Sequence, residues 1–220
     1  MNPSTPHPES SRPDFGVIIV GDEILSGKRA DKHLSKVIEL LGARGLSLSY
    51  ADYVGDSPER ITRTLRRAFD SGDIVFSCGG IGATPDDHTR QCAAKALGQP
   101  LALHPQAELL IRERMQDVAK EQGLPYEPNR EDNIHRLNMG VFPQSAQIIP
   151  NPYNKIPGFT CVSPGRTLQT GAVHFVPGFP VMAWPMIEWV LDTHYGHLFQ
   201  KAAWLEKSVI VYGAMEAALT

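Results

Sequence analysis

The chain has 220 residues, of which 42% are hydrophobic and 20% charged, and its formal net charge is −3. That suffices for one substantial core, or for a domain with an appendage. No block of Lys or Arg is present, so nucleic-acid binding has no electrostatic support, and no apolar run approaches the roughly 20 residues that span a bilayer.

The opening MNPSTPHPESSRPD holds no apolar stretch. Residues 1–13 are therefore expected to form a disordered leader, not a secretory signal. FGVIIVGDE, Phe15 to Glu23, is a continuous apolar run ending in Gly-Asp-Glu, which suits a strand buried on both faces of a parallel sheet. Asp31 offers an N-cap, and Leu34, Val37, Ile38 and Leu41 recur at helical spacing until Gly42. LSLSYADYV alternates as a strand. Pro58 stands at the first position of the next helix, with Ile61, Leu65 and Phe69 as its inner stripe and Gly72 as its end. DIVFSC is the third strand. This alternation argues for an α/β fold: a parallel sheet with helices on its faces and right-handed crossovers.

A helix is expected from about His104 to Gln122, with Leu110, Met115, Val118 and Ala119 inside, and a shorter one from Asn129. VFPQSAQIIPNPYNKIPGF is too rich in proline for a helix. GFTCVS and AVHFVPG are short strands, expected to be antiparallel neighbours joined through PGRTLQTG. MAWPMIEWVLDTHYGHLF reads as helix, disturbed near Pro185. Residues 14–199 thus form the α/β domain, and 200–220 are expected to begin a C-terminal segment cut short of its natural end. The three cysteines, Cys78, Cys92 and Cys161, lack zinc-ligand spacing and read as reduced thiols of a cytoplasmic protein.

The stretch SCGGIGATPDDHTRQ carries the chemistry. Thr84 fits an N-cap, Pro85 the first helical position and Asp87 the third, a capping-box arrangement. Gly79, Gly80 and Gly82 then lie between a strand's carboxyl end and a helix N-terminus. Open parallel sheets bind ligands on that edge, where free N–H groups and the helix dipole favour an anion. Asp86 and Asp87 have two readings. They complement the dipole, each contact stabilising by about 0.3–1 kcal/mol. Alternatively they hold Mg²⁺, which accepts one or two carboxylates and shares the oxygens of a bound phosphate or diphosphate. Asp22 and Glu23 end the first strand and reach the same edge if the strands are parallel. Taken alone, they make a Gly-Asp turn. Gly80 is expected to tolerate no large side chain, because the ligand approaches its backbone closely.

VGDEILSGKRADKH, SCGGIGATPDDHT and FVPGFP, in this order, resemble motifs of the molybdopterin-binding domain shared by molybdopterin adenylyltransferases and CinA-like (competence/damage-inducible) proteins. The resemblance covers about Phe15 to Phe199, and GGIGATPDDHT is most similar to the CinA-like branch. It implies a three-layer α/β/α domain with a mainly parallel sheet, a homo-oligomer (trimer or dimer), and a pocket for a small phosphate-bearing ligand, either molybdopterin or a nucleotide. It further implies Mg²⁺-dependent adenylyl transfer, or hydrolysis of a nucleotide diphosphate such as ADP-ribose. The alternative is a non-catalytic molybdopterin carrier. Position by position, Gly79, Gly80, Gly82 and Thr84 would line the phosphate loop. Asp86 and Asp87 would hold the metal or polarise the attacking group, and Asp22 would approach from the first strand. Gly178 and Pro180 would border the ligand. Thr89 either gives its hydroxyl to the loop or is an exposed helix threonine. The second family loop, Asn-Pro-x-Gly-Thr-Ala-Pro-Gly, reads NPYNKIPGF here. Asn151 is kept as a binding residue, while Asn154, Lys155 and Ile156 replace Gly-Thr-Ala. Lys155 either neutralises a phosphate as a point charge or is a solvated loop lysine.

Overall fold

The computed structural model describes residues 13–200. The expected leader and C-terminal segment lie outside the described residues, apart from their boundary positions. In chain order the elements are β1 (Phe15–Val20), α1 (Asp22–Leu25), α2 (His33–Gly42), β2 (Leu48–Val54), α3 (Pro58–Ser71), β3 (Ile74–Cys78), α4 (Thr89–Leu97) and β4 (Leu101–Leu103). Then come α5 (Pro105–Glu121), α6 (Glu131–Leu137), β5 (Val141–Pro143), β6 (Gln147–Ile149), β7 (Gly158–Val162), β8 (Ala172–Val176) and α7 (Pro180–His194). The main sheet has the order β2-β1-β3-β8-β7-β6. Strands β2, β1, β3 and β8 are parallel, and the β6–β7 and β7–β8 pairs are antiparallel. A separate antiparallel ribbon joins β4 to β5.

The sequence forces this layering. All six β1 residues are buried, as are all five of β3 and of β8. Successive side chains of a strand point to opposite faces, so each central strand feeds two cores. Val17, Ile19, Ile74 and Phe76 pack with Val37 and Leu41 of α2 and with Ile187 and Val190 of α7. Ile18, Val20 and Val75 pack with Ile61, Leu65 and Phe69 of α3, Ala93 of α4 and Phe142 of β5. Each fully buried aliphatic side chain contributes about 1.5–3 kcal/mol, and the two layers cover the sheet as expected. Gly72 and Gly98, at φ +80° and +64°, end α3 and α4 in the left-handed region that glycine adopts without strain. Arg44, just beyond α2, grips Asp192 of α7 through two hydrogen bonds of 2.7 and 2.8 Å.

Several local expectations shift. Asp31 caps α2 from two residues outside it: Oδ1 accepts from the His33 N–H at 2.8 Å and Oδ2 from the Leu34 N–H at 3.1 Å. Ile38 stays half exposed, and Leu40 takes its place in the inner stripe. On α5 the buried positions are Ala107, Ile111 and Met115, with Val118 and Ala119 only half-buried. The proline-rich stretch yields β5 and the edge strand β6, where Pro143 closes a strand instead of interrupting one. Among the described residues no helix is long and apolar enough to cross a membrane.

One polar chain runs through the core. The Tyr195 hydroxyl donates to the Leu168 carbonyl at 2.9 Å, so it accepts from His174 Nε2 at 2.7 Å. His174 Nδ1 then accepts from the Thr160 hydroxyl at 2.8 Å. Burial keeps this imidazole neutral and pushes its pKa down to about 3.

Candidate functional site

The parallel strands β1, β3 and β8 end on one edge, and the loops that leave them meet there. Gly79 follows β3 at φ +104° and donates its N–H to the Val176 carbonyl at 3.0 Å. A Cβ on Gly79 would stand 2.5 Å from the Val20 carbonyl oxygen, so no side chain fits between the strand ends. Gly80 follows at φ +70°, and a Cβ there would lie 2.2 Å from the Thr89 hydroxyl. That hydroxyl, wholly buried, donates to the Gly79 carbonyl at 3.1 Å, and the Thr89 N–H donates to the Gly80 carbonyl at 3.0 Å. Thr89 is therefore the clamp that fixes the loop on α4. This clamp and the positive φ by themselves require glycine at Gly80. Beneath the loop, buried Arg90 donates through Nη1 to the Ile81 carbonyl at 3.1 Å. Sequence reasoning passed over Arg90. The signal was a cation in the first turn of a helix, where the dipole disfavours one.

The expected capping box is absent, because α4 begins at Thr89. Thr84 to Asp87 form a self-contained turn instead. Asp87 Oδ2 accepts from the Thr84 N–H at 2.8 Å and from its hydroxyl at 2.6 Å, and the Asp87 N–H returns to the Thr84 carbonyl at 3.0 Å. The local bonds of the turn satisfy the groups that a helix start would have used. Asp86 and Asp87 therefore stand ahead of the helix, on the rim. The N–H groups of Gly80, Ile81, Gly82 and Ala83 find no acceptor among the described residues.

Loop and acids open on a cavity of about 640 Å³. Gly79, Gly80, Gly82, Thr84, Asp86, Asp87, Asn151, Gly178 and Pro180 all line it, and so does Asp56, which sequence reasoning did not single out. Asp56 follows β2 as Asp22 follows β1. The Asp56 N–H donates to Asp22 Oδ1 at 3.1 Å, and the Asp22 N–H donates to Asp56 Oδ2 at 2.9 Å. Asp56 faces the cavity and Asp22 stands behind it, outside the lining. Burial pushes the Asp56 carboxyl above its ordinary range, the Asp22 N–H pulls it down, and the charges of Asp22, Asp86 and Asp87 raise it further. The signal was legible: Val20-Gly21-Asp22 and Val54-Gly55-Asp56 repeat one tripeptide at two strand ends. A Cβ on Gly55 would lie 2.3 Å from Asp22 Oδ1. Among the described residues no three His, Cys, Asp or Glu side chains group as a metal site.

The family model described as a probable molybdopterin binding domain matches residues 16–195. The chain belongs to that family. Its CinA-like relative from Anaeromyxobacter dehalogenans is 33% identical over 176 residues, 80% of this chain and 40% of the relative. Protein TV0584 of Thermoplasma volcanium is 28% identical over 204 residues, covering 93% of this chain and 72% of that one. The chain spans about 40% of the length of the CinA-like relatives it matches. The crystal structure of CinA, a protein of unknown function from Thermoplasma acidophilum, superposes with a TM-score of 0.66 at 28% identity, covering 83% and 97% of the two chains. A molybdopterin biosynthesis enzyme, MoaB of Thermus thermophilus, shares the fold at 21% identity and a TM-score of 0.51, covering 84% and 92%.

Within this molybdopterin-binding domain, the loop after β6 closes the far wall. Asn151 is buried; its Nδ2 donates to Asn154 Oδ1 at 2.8 Å and to the Ile156 carbonyl at 2.9 Å. Lys155, at φ +65°, turns outward. Its Nζ pairs with Asp117 at 2.6 Å and with Glu113 at 3.7 Å, both on α5, and it does not line the cavity. It is thus neither a phosphate ligand in this conformation nor a free loop lysine. On the opposite wall His33, kept neutral by burial, donates from Nε2 to the Gly178 carbonyl at 3.1 Å. That bond holds the Pro177–Pro180 turn against the glycine loop.

Proposed function

We propose that the cavity binds a phosphate-bearing pterin or nucleotide, molybdopterin being the pterin case, and that the chain transfers an adenylyl group or hydrolyses a nucleotide diphosphate. The observation that carries this is the meeting of unpaired Gly80–Ala83 N–H groups with Asp56, Asp86 and Asp87 in one cavity of about 640 Å³. The amides favour an anion and the carboxylates repel one, and a divalent cation between them would reconcile the two. Mg²⁺ suits this donor set. With no complete cage of side chains, it would rest on Asp86 and Asp87 and share the ligand's phosphate oxygens. When bound, it supplies charge neutralisation at the phosphate.

The chain's own residues do the rest. The loop amides orient the phosphate, Thr89 keeps them aimed, and Asp56, which faces the cavity with its carboxyl raised above the ordinary range, would accept the proton that the attacking water gives up in hydrolysis. The name of the MoaB neighbour is consistent with a molybdopterin ligand for this chain as well. On the same reading the chain works in the cytoplasm, where three free buried cysteines stay reduced, as a dimer or trimer. A second reading, a carrier without turnover, is favoured by Lys155, which withdraws a cation from the cavity wall.

The test is Mg²⁺-dependent change in AMP, from ATP with molybdopterin or from ADP-ribose, beside calorimetric titration of the same ligands. Turnover supports the enzyme. Tight binding without turnover selects the carrier, and no binding at all removes both.

A further inference from the structure

We propose that Phe179 is the platform on which the ligand's flat heteroaromatic ring, purine or pterin, stacks. This deepens the phosphate-site reading and rests on it. Phe179 is the one Phe, Tyr or Trp among the described residues lining the cavity, and 56% of it is exposed. It caps the N-terminus of α7 in extended backbone, at φ −97° and ψ 118°. Its position is stiff on both sides. Pro180 follows it, and the carbonyl of Gly178 before it is held by His33 at 3.1 Å.

The spacing fits one small ligand. A Cβ on Gly178 would stand 3.5 Å from the Gly79 Cα, so Phe179, one residue on, starts within about 9 Å of the glycine loop. A phosphate on the loop and a ring on Phe179 are thus within reach of a single nucleoside monophosphate or pterin phosphate. Arg29 completes the arrangement. Its guanidinium lies 5.8 Å from the ring centroid and pairs with Glu23 at 3.3 Å, in solvent. The Arg29 cation shows that a face of this ring is open to a partner, and an exposed aromatic face stacks any planar base. Apolar Met139, Ile156 and Met182 line the same cavity and offer the ring edges a dry boundary.

The experiment titrates wild type, Phe179→Ala and Phe179→Leu with AMP, neopterin monophosphate and ribose 5-phosphate in the presence of Mg²⁺, with circular dichroism as a check of folding. Phe179→Ala is expected to weaken a ring-bearing ligand about 10- to 100-fold, and Phe179→Leu, which keeps apolar bulk without a π face, by a smaller factor. Ribose 5-phosphate is expected to bind all three proteins equally. Loss confined to AMP assigns the ring as purine, and loss confined to the pterin assigns it as pterin. Unchanged ring-ligand affinity in Phe179→Ala overturns the platform while leaving the phosphate site standing. Equal loss for all three ligands overturns it too, since the loop and not the ring was then disturbed. Wild type that binds none of the three sinks the phosphate site itself.

Discussion

Gly80→Ala tests whether the glycine loop is shaped by its clamp or by its ligand. Alanine at φ +70° costs about 1–2 kcal/mol from the left-handed backbone alone. Its Cβ would also stand 2.2 Å from the Thr89 hydroxyl, a contact that forces the threonine to move. Moving it breaks the 3.1 Å bond to the Gly79 carbonyl, worth about 1 kcal/mol net. The single substitution should therefore cost about 2–4 kcal/mol. Thr89→Ala removes the obstructing oxygen and the bond together. In that background Gly80→Ala should cost only the backbone share, about 1–2 kcal/mol, leaving a coupling of about 1 kcal/mol or more. Urea denaturation of the four proteins of this cycle measures it. Equal costs in both backgrounds would refute the clamp. So would a Gly80→Ala protein of unaltered stability that has lost phosphate binding, because ligand approach would then be the reason for the glycine.

Three further outcomes follow from the geometry. His174 has a native pKa of about 3 against an ordinary value of 6.5, so the unfolded chain takes up this proton first. The stabilisation from keeping it neutral is complete above pH 6.5 and is lost as pH falls toward 3, by about 1.4 kcal/mol per unit. Urea midpoints between pH 7.5 and 5 should fall accordingly, and His174→Phe should flatten that profile. Asp86→Asn and Asp87→Asn should each abolish Mg²⁺-dependent AMP release with unchanged far-ultraviolet dichroism; full activity in both would make the acids turn formers only. Lys155→Met should leave phosphate affinity within about 2-fold of wild type, since its ammonium faces Asp117, and a drop beyond about 10-fold would mean that the lysine swings into the cavity.

Much of the fold was legible because burial on two faces writes a continuous apolar run. FGVIIV and DIVFSC could be nothing else, and the antiparallel partners β7 and β8 were bounded by their own turn residues. The three-residue strands β4, β5 and β6 were not legible. Strands that short are selected by neighbours distant in the chain, not by their own pattern. The start of α4 was misplaced for a local reason. Thr-Pro-Asp-Asp satisfies a turn and a capping box with the same atoms, and only Thr89, bonded back to Gly79, decides between them. At the site, the glycine loop and its acids were readable from their order. The direction of Lys155 was not, because residues 38 and 42 positions earlier, Asp117 and Glu113, capture its ammonium.

The mutual exchange between Asp22 and Asp56 has a mechanical result. Each carboxylate is anchored on the other's main chain, so the two strand-to-helix corners are yoked. Whatever tugs on Asp56 inside the cleft is transmitted to the four-residue helix that begins with Asp22 at the cleft's edge. A spectroscopic label on that short helix, whose Glu23 and Ile24 line the cleft, would thus register the cleft's occupancy.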